Sequence, residues 1–369
     1  MRAIPRLPRI PAERAAALPL TAIEAEVFRA LQEDGRVAFT AVANDIGVSE
    51  AQVRRTVKQL VAREVFTITA VADPRLMGLE SMAWLALSVQ LSQLERTAAA
   101  LAKMPEVDYV VITTGARHVM AEVACPGTDE LLALLKRVRA LPGVQRTETY
   151  PYFQVLRQQF RWTNEEEPPA VADETRGVRS APAELDELDR VLIGELQDDG
   201  RASFRDIGQR LGVSERAVST RFARLVDEDL VRVIAVGNPH VLGFHALAWV
   251  GVSLSEVADP DAVATAFGRI PQVSYLVSVS GRFDLMGELV CRDRDHLLAT
   301  LNDRIGAIDG IETVEVFSYL RLLYRNAAGA WGAARSLAGA AEESGATGTR
   351  DARTTHAPAR PRARQDSNL

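Results

Sequence analysis

Two related segments of the 369-residue chain carry cationic and hydroxyl side chains at helical spacing, and side chains of these types could do chemistry. In the later segment, SERAVSTRFARLVDEDL, Val218, Phe222 and Leu225 share one face of a helix. The other face carries side chains that can bond phosphates and base edges, namely Arg216, Ser219, Thr220 and Arg224. A solvated basic face has the same composition, so the position of this helix among its neighbours must decide between the two interpretations.

The earlier segment repeats the pattern with different side chains. Val53, Val57 and Leu60 lie on its inner face, and its outer face carries three cations. Arg221, in the later segment, lies at the edge of the apolar face, so an ion pair within the protein and a phosphate contact are both open. The candidate DNA contacts of the two segments, with the serine that precedes each helix, are Ser49, Arg54, Arg55, Lys58, Ser214, Arg216, Ser219, Thr220, Arg221 and Arg224.

Both segments stand third in a helix-turn-helix pattern. A small residue in the second helix, Gly208, is followed four residues later by Gly212 for the turn, and the apolar Val218 comes six residues after Gly212. Ser214 is predicted to cap the third helix. Ala43, Gly47 and Val53 have the same spacing in the earlier copy. This position favours DNA binding over a merely solvated face.

A tandem duplication explains why the pattern occurs twice. DGRVAFTAVANDIGVSEAQV from Asp34 returns as DGRASFRDIGQRLGVSERAV from Asp199, a shift of 165 residues. We expect an N-terminal arm (1–19), a helix-turn-helix domain (20–64) and a ferredoxin-like domain (65–162). A linker (163–182), a second helix-turn-helix domain (183–230), a second ferredoxin-like domain (231–326) and a disordered tail (327–369) follow.

The ferredoxin-like prediction comes from the order of apolar runs in each unit. In the second unit an extended segment, VRVIAVGNP, precedes ALAWVGVSL, DAVATAFGRI, VSYLVSVS, DLMGELVC, DHLLATLNDRI and IETVEVFSYL, which indicates βαββαβ. With both helices on one face of an antiparallel sheet, the other face stays apolar and needs cover. Two such sheets in one chain can cover each other, which gives an α+β chain with two copies of each domain.

Composition excludes several classes of protein. A net charge of −6 opposes coating of nucleic acid by bulk charge, so DNA contacts must be local. Cys125 and Cys291 cannot form a disulfide framework, and no Cys/His spacing typical of zinc surrounds them. No signal peptide and no apolar run long enough to span a membrane occurs, so we expect a cytoplasmic, nucleoid-associated protein without metal or cofactor.

The chain resembles the Lrp/AsnC (feast/famine) family of prokaryotic transcription regulators from Leu20 to Arg325. The residues that carry the resemblance are LQDDGR, DIGQRLGVS with Arg221, VGNPHVLGF and GRFDLMGELV. The resemblance implies DNA binding by the third helix and a small effector, commonly an amino acid, without catalysis. Ordinary members have one unit, pair as dimers and often assemble further, so this chain resembles a fused dimer that can form homo-oligomers through the ferredoxin-like domains.

The resemblance also places the effector near a turn in each ferredoxin-like domain. In the second unit this turn holds Gly281, Arg282 and Asp284, whereas the first unit has Gly115 and, opposite Asp284, His118. A carboxylate that holds an amino group would make the second unit the better site. A plain hairpin turn for Gly281 and a loop histidine without a ligand for His118 are the structural alternatives.

An enzyme is the alternative function, because siroheme decarboxylases also pair Lrp-like units and can be fused in one chain. A resemblance of this chain to those enzymes would require a histidine and arginine cluster on the sheet to hold tetrapyrrole carboxylates. The stretches VDYVVITTGARH and VSYLVSVSGRFD are mostly apolar, with Tyr109 and Tyr275 taken as the only polar-capable strand side chains besides Ser and Thr. The sequence therefore favours a regulator.

Overall fold

A computed structural model of the chain describes residues 20–160 and 185–325. The predicted N-terminal arm, the linker and the disordered tail lie outside these described residues. The first unit contains α1 (Ala22–Glu33), α2 (Phe39–Ile46), α3 (Glu50–Ala62), β1 (Phe66–Ala72), β2 (Ser81–Val89), α4 (Leu94–Leu101), β3 (Val107–Thr113), β4 (Val119–Cys125), α5 (Thr128–Arg139) and β5 (Val144–Gln158).

The second unit repeats this order. It contains α6 (Glu187–Asp198), α7 (Phe204–Leu211), α8 (Glu215–Asp227), β6 (Val231–Gly237), β7 (Ala246–Leu254), α9 (Pro260–Gly268), β8 (Val273–Val279), β9 (Leu285–Cys291), α10 (Arg294–Ala299) and β10 (Ile311–Arg325). A π-helical segment, Thr300–Ile305, continues α10. We call α1–α3 the first head and α6–α8 the second head.

Local sequence explains each head. Ser214 Oγ accepts the N–H of Ala217 at 3.1 Å and Ser49 Oγ that of Gln52 at 3.2 Å, so both serines cap the third helices. Gly47 and Gly212 end the second helices in the left-handed conformation, at φ 71° and 69°, which a glycine adopts without strain. The apolar faces predicted for α3 and α8 are packed inward, with Leu60 and Leu225 fully buried.

The two heads form one body. The extended segment predicted after the second head is β6, and it pairs antiparallel with β1 of the first unit, Phe66 opposite Gly237. Each of these strands also packs on the first helix of the other unit, β6 on α1 and β1 on α6. The buried apolar residues of both heads therefore belong to a single core.

The two ferredoxin-like sheets close into one eight-stranded barrel in the order β10-β3-β4-β2-β5-β8-β9-β7. Covering of one sheet by the other was predicted, but the structure adds that their edges pair, β5 with β8 and β10 with β3. Helices α4, α5, α9 and α10 pack against the strands, and an apolar layer lies beneath them in each unit. Closure leaves neither sheet with an open edge.

One layer of the barrel interior is rich in aromatic and acidic side chains. Across the first sheet, Tyr109, Glu122, Trp84 and Tyr150 stand opposite one another on adjacent strands and so share a face. Across the second sheet the corresponding residues are Tyr275, Glu288, Trp249 and Phe317. The two tryptophan rings meet with centroids 4.2 Å apart.

The second unit accommodates a larger side chain by a glycine. The ring of Phe283 is buried and lies where a Cβ on Gly251 would come within 2.7 Å of its carbons. The first unit has Ala86 and Arg117 at the equivalent positions. The two barrel halves have therefore diverged by matched changes in volume.

Candidate nucleic-acid interface and effector loops

The outer face of α3 presents exposed cations. Arg55 and Lys58 are exposed, and neither has an ion pair within the described parts of the chain. Arg54 is exposed as well, but its guanidinium pairs with Glu50 at 2.6 Å and lies 5.3 Å from the ring centroid of Phe39. Arg55 and Lys58 are thus the cations of the first head most available to a phosphate.

The outer face of α8 is more nearly neutralised. Arg221 pairs with Asp186 at 2.6 Å and with Asp189 at 2.9 Å, so the intramolecular alternative left open by the sequence is what forms. Arg224 pairs with the same buried Asp189 at 2.6 Å. Both arginines hold α8 against α6 while remaining partly exposed.

Five of the six candidate contacts of the second head line one open groove between α6 and α8. It has a volume of about 680 Å³, and its candidate residues are Ser214, Arg216, Thr220, Arg221 and Arg224. Ser219 is exposed on α8 but does not line the groove. Arg216 is exposed and has no ion pair within the described residues, so it is the most available cation among the candidate contacts of the second head.

Sequence reasoning missed two arginines that join the heads. Arg36 Nη1 donates to the carbonyl of Gly200 at 2.6 Å, and Arg201 Nη1 donates to that of Gly35 at 2.7 Å. Burial, and then the neighbouring Arg201, lowers the pKa of Arg36, and burial lowers that of Arg201. The available signal was the tripeptide DGR, which is identical in both copies.

The predicted effector loops are glycine turns that sit at equivalent places in the two units. Gly115 and Gly281 have φ of 91° and 127°, so the hairpin turn that the sequence offered as the structural alternative is formed. Asp284 Oδ2 accepts the N–H of Leu254 at 2.8 Å, and His118 Nδ1 accepts that of Val89 at 2.9 Å. Asp284 and His118 therefore have the same structural role, since each accepts the N–H of the last residue of a strand, β7 and β2 respectively.

Arginine and glutamate side chains surround both turns. Arg282 pairs with Glu315 at 2.8 Å and stays exposed. Arg117, which is buried, donates from Nε to Glu148 at 2.8 Å, and the hydroxyl of Tyr150 donates to the same carboxylate at 2.7 Å. In the first unit the arginine of the turn is therefore held in a buried ion pair, whereas in the second unit Arg282 and Asp284 lie at the surface.

The sequence also missed two buried carboxylates inside the barrel. Glu288 accepts hydroxyls from Tyr109 and Tyr319, each at 2.8 Å, and from Ser274 at 2.6 Å. Glu122 accepts hydroxyls from Tyr152 at 2.8 Å and Tyr275 at 3.2 Å. Each glutamate is bonded by one tyrosine of the other unit, Tyr109 for Glu288 and Tyr275 for Glu122, so these two bonds require the pairing of the units.

One prediction about these strands was wrong. Asp108 also lies in β3 and is buried, so Tyr109 and Tyr275 are not the only polar strand side chains besides Ser and Thr. Burial, followed by the adjacent carboxylate, raises the pKa of Tyr152, Tyr275 and Tyr319 well above the ordinary value. The barrel centre is therefore acidic and aromatic.

Among the described residues, no group of three or more His, Cys, Asp and Glu side chains is arranged to hold a metal ion. No helix in the described ranges is both long and apolar enough to cross a membrane. Helix-turn-helix heads joined to ferredoxin-like domains are the architecture of a class of transcriptional regulators that combine DNA-binding heads with a ligand-binding domain.

Comparison with known families shows to which family within this class the chain belongs. The AsnC-type helix-turn-helix domain matches residues 20–61 and 185–226, and the Lrp/AsnC ligand binding domain matches 82–161 and 246–328. Together these matches cover more than half of the chain. The chain belongs to the Lrp/AsnC family of HTH-type transcriptional regulators, in a tandem-duplicated form, as the sequence predicted.

Similar proteins correspond to one unit or to the whole. An uncharacterised HTH-type transcriptional regulator of Pyrococcus horikoshii is 34% identical over 137 residues, 37% of this chain and 86% of that protein. The proline dehydrogenase transcriptional activator of Rhizobium radiobacter is 28% identical over 137 residues, 36% of this chain and 88% of that protein. The crystal structure of a siroheme decarboxylase matches with a TM-score of 0.58, covering 87% of this chain and 99% of that one at 18% identity, which concerns the fold alone.

Proposed function

We propose that this regulator binds an asymmetric operator by placing α3 and α8 in successive major grooves of double-stranded DNA. The observation that carries the proposal is the difference between the two outer faces. The first head offers the unpaired cations Arg55 and Lys58, whereas the second offers Arg216, Ser219 and Thr220 beside arginines already paired with aspartates. Two helices with different outer faces are expected to favour half-sites of different sequence.

Selection of duplexes from a random-sequence pool by the full chain, followed by footprinting, tests this proposal. We expect two half-sites of different sequence with unequal base requirements. A perfect palindrome with equal requirements in both halves would overturn the asymmetry, and failure to select any duplex would overturn DNA binding itself.

Salt dependence tests which side chains touch phosphates. Arg55→Ala with Lys58→Ala is expected to flatten the log-log slope of affinity against salt by about two units, close to one unit per lost phosphate contact. Arg29→Ala, on the same head but paired with Glu26 within α1, is the matched control and should leave the slope unchanged. An unchanged slope in the double variant would remove these cations from the interface.

We further propose that the effector is an amino acid or a related metabolite bound at the turn of the second unit, by Gly281, Arg282 and Asp284. Support comes from the exposed Asp284 and Arg282, a carboxylate and a guanidinium that complement an α-amino acid. Gly115 and His118 mark the corresponding place in the first unit, where Arg117 is already occupied by Glu148. We therefore expect tighter binding at the second unit.

Asp284→Asn separates ligand binding from the local structural bond, because an asparagine oxygen can still accept the N–H of Leu254. A panel of the twenty amino acids, screened by thermal shift, should include one that stabilises the wild type and fails to stabilise this variant. Asp284→His, which copies His118 of the first unit, is the matched control for the fold. An equal ligand shift in Asp284→Asn would remove Asp284 from the site.

Homo-oligomers through the ferredoxin-like domains are also part of the proposal. Exposed apolar residues occur in equivalent pairs on the two barrel halves, Leu132 with Leu298 and Phe153 with Leu320. Phe153 and Leu320 are the extra residues of equivalent β-bulges. Phe153→Ser with Leu320→Ser should lower the mass measured by sedimentation equilibrium, and an unchanged mass would exclude these faces.

Decarboxylation of a tetrapyrrole is the competing function, favoured by the full-length match in fold. The chemistry of the barrel argues against it, because the buried Glu122, Glu288 and Asp108 would repel a polycarboxylate placed inside the barrel. Of the hairpin side chains, Arg117 is held by Glu148 and His118 by the backbone. We propose a non-enzymatic, cytoplasmic and nucleoid-associated regulator, and loss of a carboxylate from siroheme in the presence of the chain, measured by mass spectrometry, would refute it.

A further inference from the structure

We propose that Arg36 and Arg201 are positioning residues that fix the distance and angle between α3 and α8, and thereby the half-site spacing that the chain accepts. We call this pair of arginines the clasp. The proposal rests on the proposed DNA binding, but one of its two tests needs no DNA.

Reciprocal hydrogen bonds define the clasp. Besides its bond to Gly200, the guanidinium of Arg36 donates from both terminal nitrogens to the carbonyl of Ala202 at 3.2 Å. The guanidinium of Arg201 donates to the carbonyl of Val37 at 3.2 and 3.3 Å. Each arginine therefore grips the loop before the second helix of the opposite head.

Aromatic contacts connect the clasp to α3 and α8, which we call the recognition helices. The guanidinium carbon of Arg36 lies 4.2 Å from the ring centroid of Phe204 and 5.5 Å from that of Phe222, which belongs to α8. The guanidinium carbon of Arg201 lies 4.1 Å from the ring centroid of Phe39, whose ring also faces Arg54 of α3. Each head thus supplies a cation that packs on the aromatic side chains that support the other head's recognition helix.

Backbone contacts bring the two loops close enough for this exchange. The N–H of Gly35 donates to Val233 at 2.7 Å, and the N–H of Gly200 donates to Ile68 at 3.0 Å. A Cβ on Gly35 would lie 2.9 Å from Ile68, and one on Gly200 would lie 2.8 Å from Val233. The glycine of each DGR tripeptide therefore permits the crossing strand to approach, and the arginine then reaches across.

The chemistry of the clasp requires arginine. Neither Arg36 nor Arg201 has a carboxylate within ion-pair distance among the described residues, so these half-buried cations are held by carbonyls and ring faces. A guanidinium offers five donors in a fixed plane and can stack on a ring while it bonds two carbonyls. A lysine has the charge but not the planar fork, so we expect it to hold the geometry less well.

The first test measures affinity against half-site spacing. The probe is the duplex selected by the full chain, with zero to five base pairs inserted between its half-sites, and affinity is read by fluorescence anisotropy. Five base pairs turn one half-site to the opposite side of the helix. We expect the insertion to weaken binding at least about 30-fold for the wild type. For Arg36→Met with Arg201→Met we expect less than about fivefold, because unclasped heads can follow the displaced half-site.

The second test measures the heads directly. Val61 and Val226 are equivalent exposed positions near the ends of α3 and α8. Cysteines placed there accept spin labels, and the distance between the labels is measured by pulsed electron–electron double resonance. The wild-type clasp should give a narrow distance distribution and the double methionine variant a broad one, with Arg36→Lys and Arg201→Lys between them. Arg29→Met removes a guanidinium that pairs with Glu26 and Glu33 of α1, and this variant should match the wild type in both tests.

The outcomes separate the clasp from DNA binding. Equal widths in the wild type and the methionine variant would overturn the clasp whatever the DNA results show. Equal sensitivity to insertion in both proteins would overturn its role in spacing. If no duplex is selected, DNA binding fails while the distance measurement still decides the clasp, and the lysine variant supplies the comparison if the methionine variant loses its circular dichroism signal.

Discussion

Replacing Glu288 measures how much the hydroxyl bonds inside the barrel stabilise the pairing of the two units. Its carboxylate is 2% exposed and accepts hydroxyls from Tyr109 and Tyr319 at 2.8 Å and from Ser274 at 2.6 Å. A hydrogen bond to a charged group contributes about 1.5 to 3 kcal/mol, and an orphaned buried hydroxyl costs about 1 to 3 kcal/mol. The two tyrosine hydroxyl oxygens lie 2.6 Å apart, so one hydroxyl can donate to the other once the acid is removed, and part of this energy survives.

Glu288→Ala should therefore lower the free energy of unfolding by about 3 to 5 kcal/mol, a large share of the stability of an ordinary domain. Glu288→Gln should lower it by only about 1 to 2 kcal/mol. The amide oxygen of the glutamine can still accept from the tyrosines, and its NH₂ can donate to Ser274. The difference between the two variants isolates the orphaned hydroxyls from the lost charge.

Urea unfolding followed by tryptophan fluorescence is a suitable assay, because Trp249 stands directly opposite Glu288 on the neighbouring strand. The midpoint should fall at unchanged denaturant slope. Glu95→Gln is the control, since Glu95 is exposed and its pair with Arg321 at 2.8 Å contributes less than about 1 kcal/mol. Wild-type midpoints for both Glu288 variants would refute the claim that this carboxylate joins the units.

Three further perturbations follow from the same barrel. Because burial raises the pKa of Tyr275, the unfolded chain releases this proton first, and the contribution of Tyr275 to stability should hold below about pH 10 and fall above it by about 1.4 kcal/mol per pH unit. Tyr152 and Tyr319 add to the total slope in the same way, so Tyr275→Phe should reduce that slope by the share of one tyrosine in urea titrations. Gly251→Ala should cost about 1 to 3 kcal/mol through overlap with Phe283, and Phe283→Leu should relieve it in a double-mutant cycle, whereas strict additivity would contradict the overlap. Burial raises the pKa of Cys125 to about 12 and that of Cys291 to about 11, so a thiol reagent at pH 8 should label both only in urea; fast labelling of the folded chain would contradict their burial.

Local patterns were enough to predict the helices, the strands and both turns. The inner face of α8 follows from a period of 3.6 residues, and the turn at Gly212 follows from its spacing to Val218. The predicted end of the last strand at Leu320 was short by five residues, since β10 continues to Arg325. Four of those five residues pair with β3 of the other unit, and a partner so distant in sequence leaves no local signal.

The missed polar residues had a different kind of signal. Glu122 and Glu288 lie in apolar strands, where periodicity gives an acid no role, yet MAEVAC and MGELVC carry them at the same position. The arginines of the clasp were likewise identical in both copies. In a duplicated chain, identity between the copies at a position that local patterning does not explain indicates a contact between the units.

The fusion of two unlike halves gives this molecule a direction. The barrel carries Arg117 at one turn and Phe283 at the other, and the two recognition helices present different side chains above it. A symmetric dimer on DNA looks the same from upstream and from downstream, whereas on the proposed operator this chain would have two distinguishable orientations. The proposed effector turn would then lie on a defined side of the start of transcription, and inverting the operator would invert the regulator with it.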